Sequence, residues 1–182
     1  LPWQEPRFKT VYSNVIKDFE PVAPILREVY QILFDGGTLV LTTPNQNFKK
    51  NLYFINEAKK YEQQGDYDKA RKYVAYDRGR SIYSATQKTA TEWEMELKNA
   101  GFEVIEIIPY ISPELIQLFD IGTRAFSIDF VRAYQQYCQE GKGSIIKKMA
   151  LPIIEELFTP YFNKVEDEQG SFMIIIAKKV RA

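Results

Sequence analysis

The chain has 182 residues, enough for one domain with a sizeable core. Its 24 basic and 24 acidic residues cancel, so no global charge draws it toward nucleic acid or an anionic membrane. It has no histidine and one cysteine, Cys138, which excludes His-based triads, His-ligated or thiolate-clustered metal, and an intrachain disulfide framework.

A composition of 45% hydrophobic and 26% charged residues is ordinary for a soluble globular protein. A lone cysteine fits a reducing compartment, and neither a signal-peptide pattern nor an apolar run of roughly twenty residues is present, so a cytoplasmic location is expected. Cys138 sits in the helix-like run AYQQYC and is expected to be a small buried residue.

The opening LPWQEPRF segment is held extended by two prolines, and the first strand is expected over Thr10 to Asn14. From Pro21 to Phe34, Val22, Ile25, Leu26, Val29, Ile32 and Leu33 recur at helical spacing, with Pro21 and Pro24 in the first turn. Asp35-Gly36-Gly37 is expected to end that helix, and the β-branched run TLVLTT, Thr38 to Thr43, to form a strand buried on both faces. Residues 46–88 are polar, Tyr-rich and helix-prone. EQQGDYDKARKYV resembles half of a tetratricopeptide repeat, but no second copy follows at a period of about 34 residues, so a helical insertion is the reading.

Thr89-Ala90-Thr91-Glu92 fits a capping box, as does Thr91 to Glu94, and Trp93, Leu97 and Ala100 share one face of the helix that follows. Gly101 is placed to stop it, and FEVIEIIP, Phe102 to Pro109, reads as a strand. A helical stretch from Pro113 to about Phe162 is expected to break near Gly122, at Gly141-Lys142-Gly143, and at Pro152 and Pro160. Gly141 to Ser144 faintly echoes a phosphate loop but lacks its spacing and leading strand, and is expected to be a linker. A last apolar strand is expected over Ser171 to Val180. Alternation of this kind predicts an α/β sandwich around a mostly parallel sheet with two helical insertions, at about 46–88 and 112–169.

Three pieces in register carry a resemblance. LPWQEPRFKTVYSNVI, ILREVYQILFDGGTLVLTTPN and WEMELKNAGFEVIEI resemble the segments around the fourth, fifth and sixth strands of class I S-adenosylmethionine-dependent methyltransferases, of the type 11/12-like kind. About half the chain is covered, both insertions lying outside. The resemblance implies a Rossmann-like sheet, mostly parallel, whose last strand runs antiparallel between the two before it. It also implies a single partial domain over residues 1–182, because the family's glycine-rich cofactor loop and its first strands lie upstream of anything matched here. The chain opens with Leu rather than Met, and the missing N-terminal half, or a second chain, is expected to cover the edge of the first strand.

The activity implied is methyl transfer from S-adenosylmethionine to a small, apolar or aromatic acceptor, with this segment alone inactive. A non-catalytic methyltransferase-like interaction subunit is the alternative, and a helical adaptor built on the repeat-like segment is a third. Ligands of open α/β sheets bind at the carboxyl ends of the strands. By resemblance, Asn14, Val15 and Ile16 would border the methionine and ribose portion of the cofactor, and Leu1, Pro2 and Trp3 the adenine edge. Where many relatives have a histidine after the fourth strand, this chain has Asp18, a weak candidate for orienting or deprotonating an acceptor. Thr43, Pro44, Asn45 and Tyr110 are acceptor-side candidates by position. Tyr53, Phe54, Tyr61, Tyr73, Tyr76 and Tyr83 in the first insertion, and Phe119, Phe126, Phe130, Tyr134, Phe158 and Tyr161 in the second, form either a lid over an apolar pocket or small cores of their own.

Overall fold

The computed structural model describes residues 5–77, 87–125, 127–162 and 169–180. A first strand β1 (Phe8–Ser13) leads through a 3-10 turn at Ile16–Asp18 to helix α1 (Ala23–Ile32), which passes directly into β2 (Leu33–Pro44). Short helix α2 (Phe48–Asn51) and the hairpin of α3 (Tyr53–Gln63) and α4 (Tyr67–Asp77) make the first insertion. Helix α5 (Ala90–Asn99) then feeds β3 (Phe102–Tyr110). The second insertion holds α6 (Pro113–Ala125), α7 (Ser127–Gln139) and α8 (Gly143–Phe162), before the last strand β4 (Phe172–Lys179).

The four strands form one sheet in the order β1-β2-β4-β3. β1 and β2 are parallel, while β4 is antiparallel to both β2 and β3. The last strand therefore lies between the two that precede it, as the resemblance implies.

Several boundaries differ from the sequence expectation. α1 starts at Ala23 and ends at Ile32, so Pro21, whose peptide bond with Glu20 is cis, precedes the helix. The glycine pair does not end α1. Phe8 pairs with Leu33 and Thr10 with Thr38, so the Asp35-Gly36-Gly37 turn bulges out of a ladder that has already begun. Gly36 holds φ at +72°, and a Cβ on Gly37 would sit 2.7 Å from the Phe34 carbonyl oxygen, which explains why both positions need glycine. In the second insertion α6 runs through Gly122, and α8 contains both Pro152 and Pro160. Intrinsic propensity alone would end both helices at these residues. The Gly141-Lys142 pair does separate α7 from α8, as expected of a linker.

One face of the sheet carries the core. Leu39 and Leu41 of β2 alternate with half-buried Val40 and Thr42, and Met173, Ile175 and Ala177 of β4 fall in step. Leu26 and Val29 of α1 and Trp93 and Leu97 of α5 cover them. Each such side chain contributes about 1.5–3 kcal/mol on full burial. The opposite face, with Tyr12, Val40, Thr42, Ile174 and Ile176, has no helix of comparable burial among the described residues.

Helix α5 begins on the capping box at Thr89: the Glu92 amide donates to Thr89 Oγ1 at 3.2 Å, and the Thr89 amide donates to Glu92 Oε2 at 2.6 Å. Thr89→Ala is expected to lower stability by about 1 kcal/mol in urea denaturation. The Thr89 amide holds the Glu92 carboxyl below its ordinary 4.5. The cap therefore acts fully above that value and fades as pH falls through the lower folded one.

The first insertion has a small core of its own. Phe54 lies 6.1 Å from Tyr73 and 5.3 Å from Tyr76, and Tyr61 lies 5.2 Å from Tyr73. These rings clamp α3 onto α4. Tyr83 and Phe126 lie outside the described residues, as does the Phe130 side chain. Cys138, expected to be buried, is exposed, because its face of α7 meets no described partner that would cover it. Among the described residues no helix is long and apolar enough to cross a membrane.

Candidate functional site

The carboxyl ends of β1, β2 and β3 lie on one edge of the sheet, and the amino end of antiparallel β4 joins them there. A cavity of about 340 Å³ opens at the β2–β4–β3 end of that edge. Its walls are Phe48 of α2, Ile111 beyond β3, Leu115, Ile116 and Phe119 of α6, Phe158 of α8, and Phe172 of β4. Every one of these side chains is apolar. Phe48 and Phe172 meet edge to face at 5.3 Å, an arrangement favoured by the ring quadrupole. Phe119 and Phe158 are among the aromatics singled out in the sequence, while the other five come from elements that only the fold brings together.

Ile111 stands out within this wall. Its φ is +63°, a region that β-branched side chains resist, and its carbonyl accepts from the Ser171 amide at 2.8 Å. Strain held in place by surrounding bonds is typical of residues that shape a ligand site.

The acceptor-side candidates separate into two groups. Thr43, Pro44 and Asn45 are buried, and Asn45 is tied down on three sides. Its Nδ2 donates to the Gly170 carbonyl at 2.7 Å, its Oδ1 accepts from the Asn47 amide at 2.8 Å, and its own amide donates to the Ser171 carbonyl at 3.1 Å. Asn45 thus joins the end of β2 to the start of β4, behind the cavity. Tyr110 is only half-buried, and its ring lies 5.9 Å from Phe172.

On the open face of the sheet, the Tyr12 hydroxyl lies 3.3 Å from Thr42 Oγ1. Burial first, and then the Tyr12 phenol, push the Tyr110 hydroxyl above its ordinary 10, while the Thr42 hydroxyl pulls the other way. Tyr110 is therefore a neutral donor beside an apolar cavity. The stability it contributes should hold below pH 10 and be lost as pH rises through the folded value. A difference ultraviolet titration against Tyr110→Phe is expected to show this late phenol, and one titrating at or below 10 would contradict the assignment.

The cofactor-side candidates lie at β1, three strand spacings or about 14 Å from β3. Asn14 and Val15 are exposed, whereas Ile16 is buried in the main core. The Ser13 hydroxyl accepts from the amides of Val15 and Ile16, both at 3.3 Å, and shapes this turn. Asp18 is exposed and paired with Lys17 at 2.7 Å. Val15, Ile16 and Phe19 belong to a second groove, of about 450 Å³, between β1 and α1. Leu1, Pro2 and Trp3 lie outside the described residues. Among the described residues no three acidic or cysteine side chains gather as a metal site would require.

No family model matches the chain, and no curated protein matches it. Several solved structures are similar to it. The [4+2]-cyclase SpnF is 13% identical with a TM-score of 0.47, over 100% of this chain and 53% of that one. A candidate methyltransferase, BH2331 of Bacillus halodurans C-125, is 18% identical with a TM-score of 0.44, over 100% and 68%. Phosphoethanolamine N-methyltransferase 2 of Haemonchus contortus, solved with S-adenosyl-L-methionine, is 17% identical with a TM-score of 0.42, over 96% and 34%. The chain thus spans about half the length of the cyclase and a third of the phosphoethanolamine enzyme. What decides the fold is the sheet itself, β1-β2-β4-β3 with β4 alone reversed.

The fold is a Rossmann-like α/β sheet in the strand order that the sequence resemblance to class I methyltransferases implies. Its carboxyl edge offers an apolar cavity on one side and an open turn after β1 on the other.

Proposed function

We propose that this chain supplies the acceptor-side half of an S-adenosylmethionine-dependent methyl-transfer site, and that the cavity takes a small apolar or aromatic acceptor. The observation that carries the reading is a wholly apolar cavity at the carboxyl edge of a methyltransferase-type sheet, with the neutral Tyr110 hydroxyl nearby. The bound cofactor would supply an electrophilic methyl group. This chain's own residues seat the acceptor, exclude water from it and fix its direction of approach. Asn14 and Val15 present an open rim to the cofactor side, and Asp18 remains the candidate for orienting an acceptor proton. The glycine-rich cradle would come from sequence outside this chain.

The test is calorimetry with S-adenosylhomocysteine on the full-length product. Binding by the intact, folded protein is expected, and no binding would remove the enzyme reading. For the cavity, Phe119→Trp at its exposed mouth is expected to weaken an apolar fluorescent probe about tenfold, the scale of a changed pocket contact. Unchanged probe affinity would place the acceptor elsewhere.

An interaction subunit without catalysis is the second reading. Tyr12, Val15 and Phe19 are 63%, 53% and 47% exposed beside the edge of β1 that no described strand pairs, which favours a polypeptide covering that edge in either case.

A further inference from the structure

Helix α8 carries an apolar stripe that the cavity does not use. Ile145, Met149, Ile153 and Leu157 recur every four residues and are 56%, 70%, 61% and 51% exposed. Phe158 lines the cavity from a different face of the helix, where Ala150 and Tyr161 are also half-buried. Leu151 and Ile154 are exposed as well, but Leu151 lies on the opposite side of the helix from the stripe. Four apolar side chains in one line, each more than half in water, form the kind of contiguous patch that marks a contact surface.

The charges along α8 indicate which partner fits. Its first half carries Lys147 and Lys148, and its second half carries Glu155 and Glu156. A helix resting on an anionic lipid surface gathers lysines and arginines on its polar face, and here the acids cancel them. The order is also the reverse of the one a helix dipole favours, so the isolated helix gains nothing from it. An antiparallel copy of the same helix places each basic half against an acidic half.

We propose that α8 pairs antiparallel with α8 of a second copy of this chain. A two-fold axis near Leu151 brings Ile145 against Leu157 of the second copy, and Met149 against Ile153 of the second copy. At 100° per residue, Lys148 and Glu156 fall on the same flank of the stripe. Like flanks face each other in an antiparallel pair, so Lys148 meets Glu156 of the second copy two residues, about 3 Å, off the apolar register. The contact is isologous, so each pairing occurs twice. The surface is modest, about four turns of helix per copy, and a micromolar dimer is expected.

Sedimentation equilibrium on the 182-residue chain tests this, with circular dichroism to confirm that each variant is folded. The wild-type chain should be a concentration-dependent dimer, and Ile153→Asp a monomer. Lys148→Glu alone and Glu156→Lys alone should each weaken the dimer about tenfold, because each replaces two attractions by two repulsions. The double variant K148E/E156K should restore it, since the pairs are re-formed with their signs exchanged. A wild-type monomer at all concentrations would overturn the proposal. So would a dimer indifferent to all these substitutions, which would place the contact elsewhere, such as the β1 edge. A double variant no tighter than the single ones, or a monomer that binds phosphatidylserine vesicles through Ile153, would overturn it as well.

Discussion

Trp93→Ala is expected to cost about 3–5 kcal/mol in urea-induced unfolding, the range for removing a buried aromatic ring from a close-packed core. Trp93 is fully buried, and it lies in the cluster that joins α5 to Leu39, Leu41 and Ile175 of the sheet. Its removal leaves a void at the point where the first and second halves of the chain meet. Trp93→Phe should cost far less. The indole Nε1 has no hydrogen-bond partner among the described residues, so the phenyl ring gives up some contact but also sheds a buried unpaired donor. If Trp93→Phe proved as damaging as Trp93→Ala, the indole N–H would have a partner and the account of this core would be wrong.

Gly101→Ala is expected to cost about 2–4 kcal/mol, from two sources of about equal size. The backbone at Gly101 has φ +92°, which an L side chain resists. A Cβ there would also stand 2.7 Å from Tyr30 Cε2. Tyr30 has little freedom to move aside. Its hydroxyl donates to the Val180 carbonyl at 3.0 Å, its ring meets Phe102 edge to face at 5.5 Å, and Lys179 Nζ sits 4.4 Å above it. The steric part can be separated by a double-mutant cycle with Tyr30→Ala, which removes the ring and leaves the strained backbone. Gly101→Ala should cost measurably less in the Tyr30→Ala background, and strict additivity would refute the clash.

Much of the fold was legible because its elements obey simple periods. Leu26, Val29 and Ile32 declare a helix, TLVLTT declares a strand whose burial is full on one face and partial on the other, and Thr89 with Glu92 marks the start of α5. Gly101 marks the end of that helix by the only residue type suited to its backbone angle. The bulge at Gly36-Gly37 was misplaced for a physical reason: a glycine pair reports a turn, but not whether pairing has already begun at Leu33. Cys138 was misread because helical spacing reveals a face and not what lies against it.

The cavity was legible only in part. Phe119 and Phe158 are visible as aromatics within the second insertion, but Phe48, Ile111 and Phe172 sit in three separate elements. Their convergence depends on β4 entering the sheet beside β3, which is a property of topology and not of any local window. The strain at Ile111 has no sequence signal, since isoleucine is among the residues least suited to that angle.

The place of β4 also bears on how the protein acquires its structure during synthesis. Among the described residues β1 pairs only with β2, and β3 only with β4. Among the described residues, 172–179 are therefore the one ladder between the two parts of the sheet, and they are translated after every helix described above. Until that segment clears the ribosome, β3 has no strand to pair with, and the apolar edge of β2 stays open. The sheet thus closes last, so demand for chaperone shielding should peak late in elongation and fall abruptly once the closing strand is free.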